Sequence, residues 1–192
     1  MEHLIDVNGQ EPFEGDTFIP IEILKLKEKF SIQNVLETGS QYGSSLQWFD
    51  NNFDISIGCE PNKDFWNIAG TKARVVKNLN SIDFLKEFKS SASEYPNTLF
   101  YIDSHWHDTP CPLKDELELI STFKINPIIV IHDFKVPNST TLGFDVYDYE
   151  LKFEEIESLL NKIYSKGFDY HYNSDEESNG AKRGIIYIYP KV

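Results

Sequence analysis

Val35-Leu36-Glu37-Thr38-Gly39-Ser40-Gln41-Tyr42-Gly43-Ser44-Ser45 decides how the chain reads. An apolar lead-in ends in an acid, two glycines follow four residues apart, and two small hydroxyl residues open the apolar helical run Leu46–Phe49. This is the pattern of a buried strand, a tight turn and a helix start. Glycine has no Cβ, so the backbone at Gly39 and Gly43 can turn sharply and approach a ligand closely. The helix N-terminus beyond offers unpaired N–H groups. Glu37 adds a negative charge where a phosphate would sit badly, and a cationic or zwitterionic nucleoside suits the corner better. A plainer reading keeps the corner and gives its glycines to packing alone.

Working outward, Ile55–Glu60 is a second strand that also ends in an acid. Glu60 lies about twenty residues beyond the glycine turn, the spacing at which an acid meets ribose hydroxyls in nucleotide-binding α/β folds. Pro61 suits the first turn of the next helix. Arg74–Lys77 is a short third strand, and Ser81 is read as the N-cap of a helix through Ile82, Leu85 and Phe88. Leu99–Asp103 delivers an aspartate to the carboxyl edge of the sheet, followed by Ser104-His105-Trp106-His107-Asp108. Ile128–Ile131 is a continuous β-branched run, as expected of a central parallel strand. It ends in His132-Asp133, a second polar cluster that the topology places beside the first.

On the near side, residues 1–20 lack periodicity and read as an N-terminal arm. Ile21, Leu24, Leu26 and Phe30 then suggest a short amphipathic helix. On the far side, Lys135–Tyr149 has no clear period and reads as a lid or substrate loop. In it Phe144, Tyr147 and Tyr149 either line an acceptor pocket or pack on the sheet. A helical stripe from Ile156 to Tyr164 is closed by Gly167 as a C-cap. Phe168–Tyr172 and Gly184–Tyr189 are two last strands, joined closely enough to be antiparallel.

The chain has 192 residues with 40% hydrophobic residues, which suits one domain, taken here as 21–192, with a sizeable core. A formal net charge of -13 argues against nucleic acid as a partner, since binders of phosphate backbones carry a basic stripe. Cys59 and Cys111 fall in a strand and a loop, so a disulfide framework is not expected and a reducing cytoplasm is the default. The start is polar and acidic, without a leader. No apolar run approaches the ~20 residues that span a bilayer, so no membrane is expected as a partner.

The glycine stretch resembles motif I of the class I S-adenosylmethionine (SAM) methyltransferases, in the form E-x-G-x-x-x-G-x-S. The segments Ile102-Asp103-Ser104-His105 and Val130-Ile131-His132-Asp133 are similar to the IDxxH and iHD segments of small O-methyltransferase-like families, the macrocin O-methyltransferase and cephalosporin-hydroxylase-like groups among them. The resemblance covers residues 21–190. It implies an α/β, Rossmann-like, seven-stranded methyltransferase fold, mostly parallel, with a C-terminal antiparallel strand. It implies SAM as cofactor, with Gly39, Gln41, Gly43 and Ser44 along its methionine end, Glu37 behind them, Glu60 on its ribose and Ser81 near adenine. Asp103 would face the amino group or the transferred methyl.

Asp103, His105, His132 and Asp133 are the candidate catalytic residues, one histidine serving as base and one aspartate orienting it. The acceptor is expected to be a small hydroxylated molecule. A homodimer is left open. Metal-dependent relatives hold Mg²⁺ with an acid after the fourth strand and an acid pair after the fifth. Asp103 matches the first; His132-Asp133 departs from the pair, and histidine suits softer ions, so a divalent metal also stays open. Two other functions compete: a SAM- or nucleoside-binding domain without transfer activity, and a metal-dependent hydrolase or oxygenase built on Asp103, His105 and His107.

Overall fold

The computed structural model describes residues 11–105 and 110–191. Seven strands form one sheet: β1 (Asn34–Thr38), β2 (Ile55–Cys59), β3 (Val76–Lys77), β4 (Thr98–Ile102), β5 (Ile128–Ile131), β6 (Phe168–Tyr172) and β7 (Ile186–Pro190). Their order is β3-β2-β1-β4-β5-β7-β6. The first five run parallel, and β7 pairs antiparallel with both β5 and β6. This is the doubly wound sheet with the terminal antiparallel strand expected from the sequence.

Among the described residues six α-helices cover it: α1 (Phe18–Phe30), α2 (Ser44–Asn52), α3 (Lys63–Lys72), α4 (Ser81–Lys89), α5 (Leu113–Ser121) and α6 (Phe153–Ile163). The central strands alternate between two cores with period two. Val35, Leu99, Tyr101 and Val130 join Ile23 and Leu26 of α1 and Phe49 of α2 on one face. Leu36, Phe100, Ile102 and Ile131 join Leu85 of α4, Leu117 of α5 and Leu160 of α6 on the other. A strand buried on both faces has no polar side to show, which is why β5 and the stretch Leu99–Ile102 of β4 read as unbroken apolar runs, whereas β1 keeps Asn34, Glu37 and Thr38 at its ends.

Several local readings shift. In α1 the buried positions are Ile19, Ile23 and Leu26, whereas Ile21 is 50% exposed and Leu24 is exposed as well. The helix starts at Phe18, and its inward stripe is set by the aromatic and aliphatic nest beneath it. α3 starts at Lys63, capped by Asn62, whose Oδ1 accepts from the N–H groups of Asp64 and Phe65. Pro61 therefore precedes the cap. Asn80, not Ser81, caps α4 through an Oδ1 bond from Asp83 N–H at 2.8 Å. α6 ends at Tyr164 rather than at Gly167, which turns the chain three residues later at φ 91°.

The strand order reverses between β1 and β4, so their carboxyl ends open a cleft. Gly39 lies at that opening with φ +81°. A Cβ there would overlap the carbonyl of Asp103. Gly43, φ +75°, faces α3, where a Cβ would stand 2.9 Å from Ala69 Cα. Both glycines are thus demanded by protein packing as well as by the turn. Gly39→Ala should cost about 3 kcal/mol or more of unfolding free energy in urea, from overlap and left-handed strain together. A loss below about 1 kcal/mol would show that β1 and β4 are not locked here.

Candidate active site

Two cavities meet at the Gly39–Asp103 junction. The smaller, about 410 Å³, is bordered by Glu37, Ser40, Gln41, Ser44, Tyr101, Asp103 and His132. The larger, about 860 Å³, is bordered by Gln41, Glu60, Phe65, Ser81, Asp103, His105 and Asp133, among others. Gly39, Gln41 and Asp103 border both. Of the residues the resemblance assigns to the cofactor, Gly43 alone borders neither; it lets α2 approach α3.

The backbone of the corner is largely spoken for. Gly39 and Ser40 N–H donate to Cys59 O, and Gly43 N–H donates to Ser40 O. Gln41, at φ 45°, turns its N–H to Glu60 Oε2 at 2.9 Å, and Asn62 N–H reaches Glu60 Oε1 at 2.7 Å. The two bonds fix the Glu60 carboxylate at the cavity wall, one strand from the corner. Each carboxylate oxygen keeps a further lone pair for a ligand hydroxyl. Burial raises the pKa of Glu60, and the two N–H bonds work against that rise.

Glu37 is 2% exposed, and its Oε2 has no hydrogen-bond partner. Burial pushes its pKa up to about 8, against a weaker lowering by the Ser40 hydroxyl. It therefore favours the protonated form at neutral pH when no cation stands beside it. Ser44 Oγ accepts from Lys72 Nζ at 2.9 Å. Ser81, the first residue of α4, is buried. Its hydroxyl bonds toward Glu116 of α5, which also accepts from Ser104 Oγ at 2.7 Å.

The two polar clusters converge because β4 and β5 are parallel neighbours. His132 Nδ1 lies 3.6 Å from Asp103 Oδ1 and 3.3 Å from Asp133 Oδ2. His105 Nε2 lies 3.8 Å and 3.5 Å from the same two oxygens. These separations are longer than good charge-assisted hydrogen bonds. Both ring nitrogens of His105 and Nδ1 of His132 are buried without a hydrogen-bond partner. Burial works against a charged His132, but the carboxylates of Asp103 and Asp133 outweigh it and push its pKa up to about 10. The pKa of Asp103 is pushed up by burial to about 7, with His132 pulling the other way. Asp133, although buried, is held well below the usual carboxylate range by His132 and His105. The same two carboxylates raise the pKa of His105 against the cost of its burial.

Several residues at the site carried no sequence signal. Arg183, just before β7, forms ion pairs with Asp133 and Asp145. It is fixed by its bridge to Gly143 and by Asn173 Nδ2, which donates to Arg183 O at 2.8 Å. Of the two readings of the Lys135–Tyr149 loop aromatics, packing holds for Tyr147 and Tyr149, which lie against the core, and Asp145 is the loop residue at the cavity wall. Tyr147 Oη donates to Asp145 Oδ2 at 3.1 Å, Tyr149 lies under Lys114 Nζ at 3.9 Å, and none of the three aromatics borders either cavity. Glu14 borders both cavities from an N-terminal strap, Pro12–Gly15. The strap is anchored by Phe13, whose ring meets Trp48, Phe49 and Tyr101 edge-on or tilted at 5.2–5.6 Å. It is latched to the β6–β7 loop by Ser178 Oγ, which donates to Asp16 at 2.6 Å, and by Asn179 against Thr17. His107, and with it the His-x-His reading, lies outside the described residues.

No family model matches the chain, and no curated protein matches it. Solved structures do. A SAM-dependent methyltransferase from Archaeoglobus fulgidus superposes with a TM-score of 0.56 at 18% identity, over 90% of this chain and 93% of that one. One from Anabaena variabilis gives 0.55 at 10% identity, over 90% and 84%. An O-methyltransferase from Bacillus cereus, in complex with SAH, gives 0.54 at 12% identity, over 88% and 79%. At these identities the likeness establishes the fold: this chain has the Rossmann-like fold of SAM-dependent methyltransferases. Among the described residues no helix is long and apolar enough to cross a membrane.

The raised pKa of Glu37 sets a sign. Its folded value, about 8, lies above the ordinary 4.5 of the unfolded chain, so its contribution to stability is complete below about pH 4.5 and is lost as pH rises through 8. Glu37→Gln removes that titration. In urea denaturation without ligand, the variant should gain on the wild type by on the order of 3 kcal/mol between pH 4.5 and 8.5. A difference that stays flat with pH would mean that Glu37 is ionised in the empty corner.

Proposed function

We propose that the protein is a SAM-dependent methyltransferase that methylates a hydroxyl of a small molecule, such as a sugar. The observation that carries this reading is Glu60: a carboxylate clamped by two backbone N–H groups at the cavity wall, one strand from the glycine corner, with acceptor capacity left for a ribose diol. Pro61, Phe65 and Ile82 offer an apolar slot for the purine beside it. The corner at Gly39–Gln41 and the unbonded Glu37 suit the amino-acid end, whose ammonium would let Glu37 ionise.

When bound, SAM supplies a methyl group on a sulfonium that leaves as a neutral thioether. The chain must hold the acceptor oxygen in line and take its proton. His105 is placed for the proton. It borders the larger cavity, both of its ring nitrogens are unbonded, and Asp103 and Asp133 flank its Nε2 to hold the imidazolium that results. His132 borders the other cavity with its Nδ1 beside both carboxylates, so its part is to balance Asp103 and Asp133. Asp103, at the junction, orients both rings.

A second reading of the same cluster is a divalent-metal site. One donor atom each from Asp103, His105 and Asp133 lies within 4.8 Å of the others. The buried, unbonded nitrogens of His105 fit such an ion. An imidazole among the donors favours a transition ion over Mg²⁺. Bound there, the ion would supply a positive charge beside the acceptor hydroxyl. Metal analysis with activity before and after EDTA separates the readings: a free His105 base predicts unchanged turnover, and a metal site predicts its loss and restoration by the ion.

Glu60→Ala should weaken binding of S-adenosylhomocysteine in calorimetry by about 10- to 100-fold, the worth of hydrogen bonds to a charged acceptor. Affinity within a factor of two of wild type would remove the ribose role. His105→Ala should lower turnover by about 10²- to 10⁴-fold with affinity for S-adenosylhomocysteine nearly intact. A variant that loses S-adenosylhomocysteine instead would place His105 in cofactor binding.

A further inference from the structure

We infer that the acceptor is an uncharged or cationic small molecule, and that the site excludes phosphorylated, coenzyme A-linked and carboxylate acceptors, with Glu14 of the N-terminal strap as part of the filter. The inference rests on the methyl-transfer reading and concerns only what that site admits.

The larger cavity is bordered by five carboxylates, those of Glu14, Glu60, Asp103, Asp133 and Asp145. Facing them are Arg183 and His105. Arg183 is already engaged, its Nε with Asp133 and its Nη2 with Asp145. No lysine borders either cavity among the described residues. The segments at 1–10 and 106–109 contain no lysine or arginine in the sequence, so they bring no cation of that kind. Sites that recognise phosphate or carboxylate groups pair them with free arginine or lysine, or with open backbone N–H groups. Here the Gly39, Ser40, Gln41 and Gly43 N–H groups all donate within the protein, and the open first-turn N–H groups of α2 and α4 lie at Ser44–Ser45 and Ser81–Ile82, on the side given to the cofactor.

Separate observations mark the place as built for a ligand. Glu37 and His105 are buried polar groups with unbonded atoms at the walls of the two cavities. Glu14 stands over the junction where the cavities meet, held there by the packed ring of Phe13 and by its own carbonyl, which accepts from Ala181 N–H at 3.3 Å. A SAM molecule, with net positive charge, would use Glu60 and Glu37. Glu14 and the Asp133–Arg183–Asp145 group then remain toward the acceptor; with His132 offsetting one charge at Asp133, the balance is still negative. An anion beside the little-exposed Asp133 and Asp145 would lose about tenfold in affinity or more for each carboxylate left uncompensated near it, while the exposed Glu14 adds a smaller, solvent-screened repulsion. A hydroxylated neutral molecule or an amine loses nothing by this count.

The test uses the full-length protein with trideuteromethyl SAM and a low-mass extract of cells. Products are recognised by their mass and sorted by electrophoretic mobility at pH 7. Labelled products should be neutral or cationic. Labelled products that run as anions overturn the inference. Glu14→Lys should raise the share of anionic labelled products by about two- to fivefold, the effect of a solvent-screened charge, and an unchanged distribution would remove Glu14 from the filter. Calorimetry with S-adenosylhomocysteine keeps the two readings apart. Absence of binding sinks the methyl-transfer reading itself, while binding without any labelled product removes the acceptor and this inference with it.

Discussion

The site exists because Gly39 has no side chain. β1 and β4 are register-paired from Asn34↔Thr98 to Thr38↔Ile102, and the next residue on each strand must pass the other at backbone distance. With hydrogen in place of Cβ, the Asp103 carbonyl can lie against the corner, and the two strands end level. β5 is level with β4 in turn, through Ile102↔Ile131. The consequence is chemical. Asp103 and Asp133 emerge side by side, and the histidines that follow one strand and end the other fill the space around them.

This convergence brings together four ionisable groups within a few ångströms and mostly out of water. Two carboxylates and two imidazoles in that volume cannot each keep an ordinary pKa. Asp133 remains charged, His132 joins it as a cation, and Asp103 is left near neutrality. His105 keeps both nitrogens unbonded at the cavity wall. Such arrangements cost folding stability and persist where a ligand or a reaction uses them. Glu37 is a second instance on the other side of the junction, a buried acid whose ionisation awaits a positive partner.

The parts legible in the sequence share one property: they are local. The corner, Glu60 after β2, Asp103 after β4 and His132-Asp133 after β5 each follow an apolar strand directly, and strand order then places them at one edge. Ser81 was misread as a cap because Asn and Ser compete for that position, and only the structure shows Asn80 accepting from Asp83 N–H while Ser81 turns inward to Glu116. Glu14, Asp145 and Arg183 were not legible for a different reason. They come from an arm, a long loop and a β-hairpin loop without periodicity, and they reach the site through tertiary contacts such as Arg183 with Gly143 or Asp16 with Ser178. No spacing rule links residues 14, 145 and 183.

The most direct measurement is a crystal structure of the protein soaked or grown with S-adenosylhomocysteine. The expected result has the ribose hydroxyls on the Glu60 carboxylate, the purine against Phe65 and Ile82, and the amino-acid tail at Gly39–Gln41 with the sulfur over Asp103. A ligand bound away from the β1–β4 cleft, or a ribose that leaves Glu60 bonded only to Gln41 and Asn62, would contradict it.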